Sequence, residues 1–396
     1  MSNKRVVNFD SVYTEIRSLY GKYIDDHTYV YKRCGDYIIV MKLLADTITN
    51  INRTNITDPT YAKYRANKLY VVVIFNIFDP SIAINSITNT FYCDKITYTI
   101  DTVVYPDKFD SNLDRVCTNG IYFYKDITRA YFSNFYFDNI IYTGEYTEYY
   151  DCGQIKTKCN YMDGKINDEY INYYKCGQIR IKCNYMYGKS NGECIYCYEC
   201  GQIQTKCNSV EGKLNGEYIE YDECGQIIVK CNYTNNKLNG ESINYYVSGQ
   251  IKIKCNYTDG KINGESTHYY ENGKIETKHN YTDGKLNGKY THYYENGKIE
   301  TKCNYIDDKL NDEYTHYYEN EQIQKKCNYV EGRLNGEYIT YYKCGQIQTK
   351  FNYTDDKLND EYIIFYKNGQ EREKCNYTDD KLNGECITYY ECGQIK

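Results

Sequence analysis

Asn335-Gly336-Glu337-Tyr338-Ile339-Thr340-Tyr341-Tyr342-Lys343-Cys344-Gly345-Gln346-Ile347-Gln348-Thr349-Lys350 decides the fold, because near-copies of it fill the chain from about residue 143 onward. Glycine returns every 24 residues at Gly144, Gly192, Gly216, Gly240, Gly264, Gly288, Gly336 and Gly384, with Asp168, Asp312 and Asp360 at the missing steps. A second column of Gln or Lys runs in the same register from Gln154 to Gln394, and no insertion breaks it. A constant period of this size signals stacked supersecondary units.

Each unit holds two turn signals, Glu-Asn-Gly-Lys as at Glu271 to Lys274 and Thr-Asp-Gly-Lys as at Thr258 to Lys261. Asn-Gly and Asp-Gly between β-rich runs favour the primed turns whose twist suits a hairpin. About seven residues separate the turns, so each repeat is predicted as two short antiparallel strands and the array as a continuous β-meander. Cysteine replaces the turn Asn at Cys152, Cys176, Cys200, Cys224, Cys344 and Cys392. Cysteine is ill suited to positive φ, so weaker turns or turns of another type are expected there.

Taking Cys152-Gly153 as a two-residue turn, the pleat sorts side chains onto two faces. The first carries Tyr146, Tyr150, Ile155, Cys159 and Tyr161, with Tyr161 covering the strand glycine Gly144. The second carries Glu145, Thr147, Tyr149, Lys156, Lys158 and Asn160. On it a Lys column from Lys158 to Lys374 runs beside a Glu column from Glu145 to Glu385, interrupted by Lys289. These are diagonal cross-strand neighbours, so this face is expected to be a solvated ion-pair ladder. A single-layer sheet has no second layer to cover tyrosine columns, and tyrosine suits interfaces. The candidate partner-binding face is therefore Tyr146, Tyr150, Tyr170, Tyr174, Tyr218, Tyr290, Tyr294, Tyr314, Tyr318, Tyr338 and Tyr342.

Composition narrows the function classes. The 396 residues include 54 Tyr and no Trp, and the only prolines, Pro59, Pro80 and Pro106, precede the repeats. A net charge of −6 argues against nucleic-acid binding. No signal-peptide h-region opens the chain, and the longest apolar run, Leu69 to Phe78, is about half the roughly 20 residues a membrane span needs. A soluble protein of a reducing intracellular compartment is expected. Consistent with this, Cys159, Cys183, Cys207, Cys231, Cys255, Cys303, Cys327 and Cys375 share one column with His279 and Phe351, an exchange that reduced, packed cysteines allow.

Three candidate sites carry no chemistry in this reading. Cys194 and Cys197 of Cys194-Ile-Tyr-Cys197-Tyr-Glu-Cys200 fall on opposite faces of a strand, so they do not chelate together. His268, His292 and His316 recur two strand spacings apart, roughly 9–10 Å, too far to share one ion, and read as surface polar residues. Nothing pairs a nucleophile with a base at defined spacing, so no enzyme, cofactor or metal site is expected.

Residues 1–143 are aperiodic and read as a small α+β module, with 144–396 as about ten repeats plus a partial last one. Tyr37 to Leu44, Lys68 to Phe75 and Thr90 to Ile100 are predicted strands. Pro59 to Ala66 and Asp126 to Tyr131 are predicted short helices, the second capped by Asp126. The chain ends at Cys392-Gly-Gln-Ile-Lys396 inside a hairpin. The strand with Cys386, Ile387 and Tyr389 is then barely paired, and self-association through this C-terminal edge is expected.

Gly-Lys-Leu-Asn-Gly-Glu-Tyr-x-x-Tyr-Tyr-Glu-Asn-Gly-Gln/Lys-Ile, best matched at Gly284 to Ile299 and Gly260 to Ile275, resembles the MORN-repeat variant also seen in bacterial YwqK-type antitoxin-like proteins. Cys117-Thr-Asn-Gly-Ile-Tyr-Phe-Tyr124 with Thr128-Arg-Ala-Tyr131 resembles an element of an uncharacterised domain in repeat proteins of giant DNA viruses such as mimivirus. The family position that is often His is Tyr122 here, which removes a plausible base and favours a strand–helix junction turning at Gly120. The resemblance implies an elongated, twisted antiparallel sheet serving protein–protein contacts, hence a viral interaction scaffold with an unidentified protein partner, in the host cytoplasm or the virion. Binding to membrane phospholipid and antitoxin-like neutralisation are the alternatives it leaves open.

Overall fold

A computed structural model describes residues 5–90, 95–133 and 140–396. The chain divides into two compact units, Met1–Lys213 and Leu214–Lys396.

The first unit opens with β1 (Arg5–Asn8) and α1 (Phe9–Ile24), whose N-cap Asn8 accepts the Ser11 N–H. No element is expected from the sequence at α1. Its inward residues Phe9, Val12, Tyr13, Ile16, Tyr20 and Tyr23 mix tyrosine with apolar side chains, and only Ile16 is fully buried. There follow β2 (Tyr29–Cys34), β3 (Tyr37–Lys42), β4 (Lys63–Ala66), β5 (Leu69–Asn76), β6 (Ser86–Thr88), β7 (Thr97–Thr99), β8 (Val103–Val104), β9 (Ile121–Tyr124) and α2 (Ile127–Tyr131). Six of these strands form one sheet in the order β4-β9-β2-β3-β5-β8, and β6 pairs with β7 separately. Ile38 and Val40 of β3 enter one core with Ile16, Phe75 and Tyr131, while Ile39 and Met41 enter another with Val71, Tyr98 and Phe123. Burial on both faces explains why Tyr37 to Leu44 reads as an unbroken apolar run.

Two predictions for this module are corrected. Pro59 to Ala66 is a turn leading into β4, because pairing with β9 and full burial of Tyr64 and Ala66 outweigh helical propensity. The predicted strand Thr90 to Ile100 shrinks to β7, and residues 91–94 lie outside the described residues. The predicted cap is present: Asp126 accepts the Arg129 N–H. Gly120 turns the chain into β9 at φ +144°, where a Cβ would come within 3.3 Å of Arg65 and Phe109. Beneath it the fully buried Arg65 guanidinium donates to carbonyls of Asp110, Asn112, Arg115 and Asn119, holding that loop.

The array begins in the same unit. β10 (Ile140–Tyr149) lies parallel to β1 and antiparallel to β11 (Ile155–Met162). β12 (Lys165–Tyr173), β13 (Ile179–Met186), β14 (Lys189–Cys197) and β15 (Ile203–Val210) continue the meander. The second unit repeats this antiparallel pattern from Lys213–Tyr221 to Glu371–Thr378.

Two turn chemistries build every repeat. At Asp163-Gly164 and Asp259-Gly260 both central residues have positive φ (51° and 76°, 51° and 83°), the type I′ hairpin expected. The other turn is corrected. Gly153 N–H bonds to Tyr150 O, Tyr150 N–H bonds to Gln154 O, and only Gly153 is left-handed, at φ +92°. This is a three-residue loop, a type I turn closed by a glycine bulge. Cys152 therefore keeps negative φ, which explains how Cys and Asn exchange there. The glycine column sits at a second bulge, at φ 96° for Gly240, and Asp168 holds φ 67° in its place. Among non-glycine residues Asp is one that tolerates this conformation, so it fills the missing steps.

Candidate functional site

The expected tyrosine face exists as a strip of aromatic pairs. Tyr146 stands opposite Cys159 and Tyr170 opposite Cys183, while Gly144 stands opposite Tyr161. Diagonally, Tyr146 meets Tyr161 at 5.9 Å and Tyr170 meets Tyr185 at 5.7 Å between ring centres, both edge to face. In the second unit Tyr218–Tyr233, Tyr290–Tyr305, Tyr314–Tyr329 and Tyr338–Tyr353 repeat the contact at 5.6–6.0 Å. Such pairs contribute about 0.5–1.5 kcal/mol each beyond area burial. These tyrosines are half-buried, and loss of hydration pushes the hydroxyls of Tyr170, Tyr290, Tyr314 and Tyr338 upward and that of Tyr146 to about 12.

The other candidate tyrosines are tied down. The Tyr150 hydroxyl donates to Tyr173 O at 2.8 Å and Tyr174 to Cys197 O at 2.9 Å. Tyr294, Tyr318 and Tyr342 do the same to Tyr317, Tyr341 and Phe365 at 2.6–3.0 Å. Each bond joins one repeat to the backbone of the next, so this column staples the array.

On the opposite face the ion-pair ladder forms. Lys182–Glu169 and Lys206–Glu193 are 2.7 Å apart, as is Lys230–Glu217, and Lys254–Glu241 and Lys350–Glu337 are 2.6 Å apart. Lys278–Glu265, Lys326–Glu313 and Lys374–Glu361 complete it. The face assignment needs one correction, because a bulge between Glu148 and Tyr149 leaves Lys156 without a cross-strand partner. Lys156 then pairs with Glu148 at 2.8 Å on the Tyr146 side, and Ile155 joins Tyr149 on the ladder side. Ile219, Ile339 and Ile363 are buried on that side too, so it is not wholly a charged surface.

A cleft of about 560 Å³ in the first unit was not legible in the sequence. Tyr146, Tyr149 and Tyr150 line it from the array, with Lys156 and Lys175, while Lys63, Tyr124 and Arg129 line it from the module. Arg129 is 7% exposed, lies 4.5 Å over the Tyr124 ring, and donates to Tyr61 O and Tyr149 O at 3.3 Å. The hairpin turn beside the cleft is held by Thr57 and Asp58 N–H bonds to Cys152 O at 2.9 and 3.1 Å. These residues come from separate elements with no common motif, so spacing offers no signal for them.

The remaining candidates are placed as follows. His268, His292 and His316 are half-buried, not surface groups: His292 meets Glu300 at 2.5 Å and His316 meets Thr301 at 2.9 Å. Their strands place them beside threonines of adjacent strands, which shields them. The column cysteines are buried and free with one exception: Cys375 is joined to Cys386, against the expectation of reduced thiols throughout. The cause is register, which sets these two on neighbouring strands with Cα atoms 4.4 Å apart. Glu373 approaches both sulfurs at 3.6 Å. Among the described residues no helix is long and apolar enough to cross a membrane.

Residues 20–130 match a family of unknown function, DUF5758. The MORN repeat variant matches residues 142–163, 214–235, 238–259, 262–283, 286–307 and 313–331. No curated protein matches the chain. Among solved structures, the Tc holotoxin pore of Photorhabdus luminescens is 10% identical with a TM-score of 0.17, covering 91% of this chain and 18% of the toxin chain. The TcdB2–TccC3 structure is 11% identical with a TM-score of 0.17, covering 89% and 19%. A porin-like protein of Bacteroides uniformis is 8% identical with a TM-score of 0.14, covering 57% and 91%. The chain thus spans about a fifth of the toxin chains it matches. Recurring matches in register over residues 142–331, on hairpins of one geometry, show that the chain carries MORN-variant repeats, preceded by a segment that matches DUF5758.

Proposed function

We propose that the chain is a non-enzymatic interaction scaffold whose array presents the tyrosine strip to another protein. MORN repeats serve generally as protein- or membrane-interaction scaffolds. The observation that carries the choice of a protein partner is the strip itself. Edge-to-face tyrosine pairs recur on a sheet face that neither apolar core reaches beyond Tyr161 among the described residues. Large rigid rings with polar tips are the groups that dominate protein interfaces. The paired Lys and Glu columns weigh against an anionic membrane as the target, since a neutralised ladder attracts little. The sequence resemblance supports a giant-virus source, with a host or viral protein as the partner.

The test is capture with the full chain from host lysate, alongside vesicles containing phosphatidylserine. A stoichiometric protein that survives moderate salt is expected. Its retention is expected to fall at least tenfold in a Tyr290→Ala/Tyr314→Ala/Tyr338→Ala variant, and to persist when Lys254–Glu241 and Lys350–Glu337 are reversed. Loss on charge reversal alone, or salt-sensitive vesicle binding with no protein captured, overturns the proposal.

A further inference from the structure

Three cysteines meet on neighbouring strands of the first unit. Cys183 of β13 is the cross-strand partner of Cys194 of β14, and Cys194 is the partner of Cys207 of β15. Their exposures are 3%, 2% and 5%. Cys183 and Cys207 belong to the cysteine column. Cys194 stands where Tyr218, Tyr290, Tyr314 and Tyr338 stand in other copies. The ring that those copies place between successive column residues is missing, and thiol faces thiol on both sides. Directly opposed residues in antiparallel strands have Cα atoms about 4.5 or 5.5 Å apart, both within disulfide reach. The chain supplies its own precedent: Cys375 and Cys386 occupy the same two register positions eight repeat periods later, and they are bonded.

We propose that Cys194 is an oxidative modification site, where a hydroperoxide forms a sulfenic acid that condenses with Cys183 or Cys207 into a cross-strand disulfide. Cys194 is the central sulfur and the one shared by two neighbours. Hydrogen bonding from Cys183, then Cys207, favours its thiolate and holds it below the usual thiol range, while the same contacts push Cys183 and Cys207 up. The thiolate is the reactive form. Its sulfur attacks the peroxide, forming an S–O bond and breaking the O–O bond, and the alcohol or water leaves after taking a proton. The Cys183 sulfur then attacks the Cys194 sulfur. An S–S bond forms, the S–O bond breaks, and water leaves with the thiol proton. Two thiols have lost two electrons and the peroxide has gained them. Attack by Cys207 on the Cys194 sulfur expels the Cys183 thiolate and moves the bond one strand along without further oxidation. Neither apolar core includes these three cysteines, so among the described residues no second layer stands between their face and a small oxidant.

The experiment treats reduced full-length protein with equimolar hydrogen peroxide, blocks remaining thiols by alkylation, and maps the peptides by mass spectrometry. A Cys183–Cys194 or Cys194–Cys207 link is expected at least tenfold faster than oxidation of Cys231, Cys255 or Cys303, column cysteines without an opposed thiol. Cys194→Tyr, which restores the commoner repeat residue, should leave Cys183 and Cys207 reduced at that dose. Cys183→Ser should move the link to Cys207. Equal oxidation of all column cysteines, a link from Cys194 to Cys197 or Cys200, or unchanged oxidation of Cys183 in Cys194→Tyr would overturn the assignment.

Discussion

At the scale of residues, one column position shows how a shared register gives different side chains different costs. His279 stands where most copies have cysteine, and neither ring nitrogen has a hydrogen-bond partner. Burial, with a smaller effect from His268, pushes it down to about 4. The unfolded chain therefore takes up a proton first as pH falls. Its contribution is fully present above about pH 6.5 and is lost toward pH 4, a loss of about 1–3 kcal/mol. Thermal melts at pH 7 and 4.5 are expected to show a larger acid-induced drop for the natural chain than for His279→Cys; equal drops would refute this. Tyrosine staples are a second residue-scale effect. Tyr294→Phe removes the 2.6 Å bond to Tyr317 O, costing about 1 kcal/mol in urea unfolding, whereas Phe at an unbonded tyrosine costs little. The columns themselves are legible in the sequence. Which tyrosines are stapled is not, because the acceptor is a backbone carbonyl of the next repeat.

Among elements, the hairpin turns explain the pattern of glycine and aspartate. At Asp307-Asp308 both residues are left-handed, at φ 47° and 67°, where other copies have glycine second. Asp308 offsets its strain by accepting the Leu286 N–H at 2.7 Å. Asp308→Gly is therefore expected to be near neutral, and Asp308→Ala, with strain and no acceptor, to destabilise by about 1–2 kcal/mol in chemical denaturation. The first three-residue turn carries a different constraint. A Cβ on Gly153 would lie 2.1 Å from Asp58 O, so the hairpin cannot seat against the module with any side chain there. Gly153→Ala is expected to raise hydrogen exchange at Thr57 and Asp58, whose N–H groups bond to Cys152 O, and to leave distant hairpins unchanged.

On the scale of the whole molecule, the ion-pair ladder is extensive but made of half-exposed pairs, as for Lys182 and Glu169 with 46% and 49% side-chain exposure. Such pairs contribute little individually and are screened by salt. Raising sodium chloride to 1 M is expected to shift unfolding free energy by less than about 1–2 kcal/mol; a larger loss would make the ladder a principal source of stability. Aromatic pairs and inter-repeat hydrogen bonds recur through both units.

The period, the hairpin, the I′ turn and the ladder were all decided by the sequence alone. Each depends on residues close in the chain, and a repeat multiplies a weak local signal in register. The cap at Asp126 and the buried strand β3 were readable for the same reason. What tertiary structure alone decided is wherever distant residues meet. Residues 59–66 gave up a helical pattern for pairing with β9, and Arg129 drew together a cleft from α2, β9 and the first repeats. Cys194 found its partners across strands, not at Cys197 along its own. Side-chain spacing within one strand specifies a face, but which atoms touch across that face depends on bulges that shift the register.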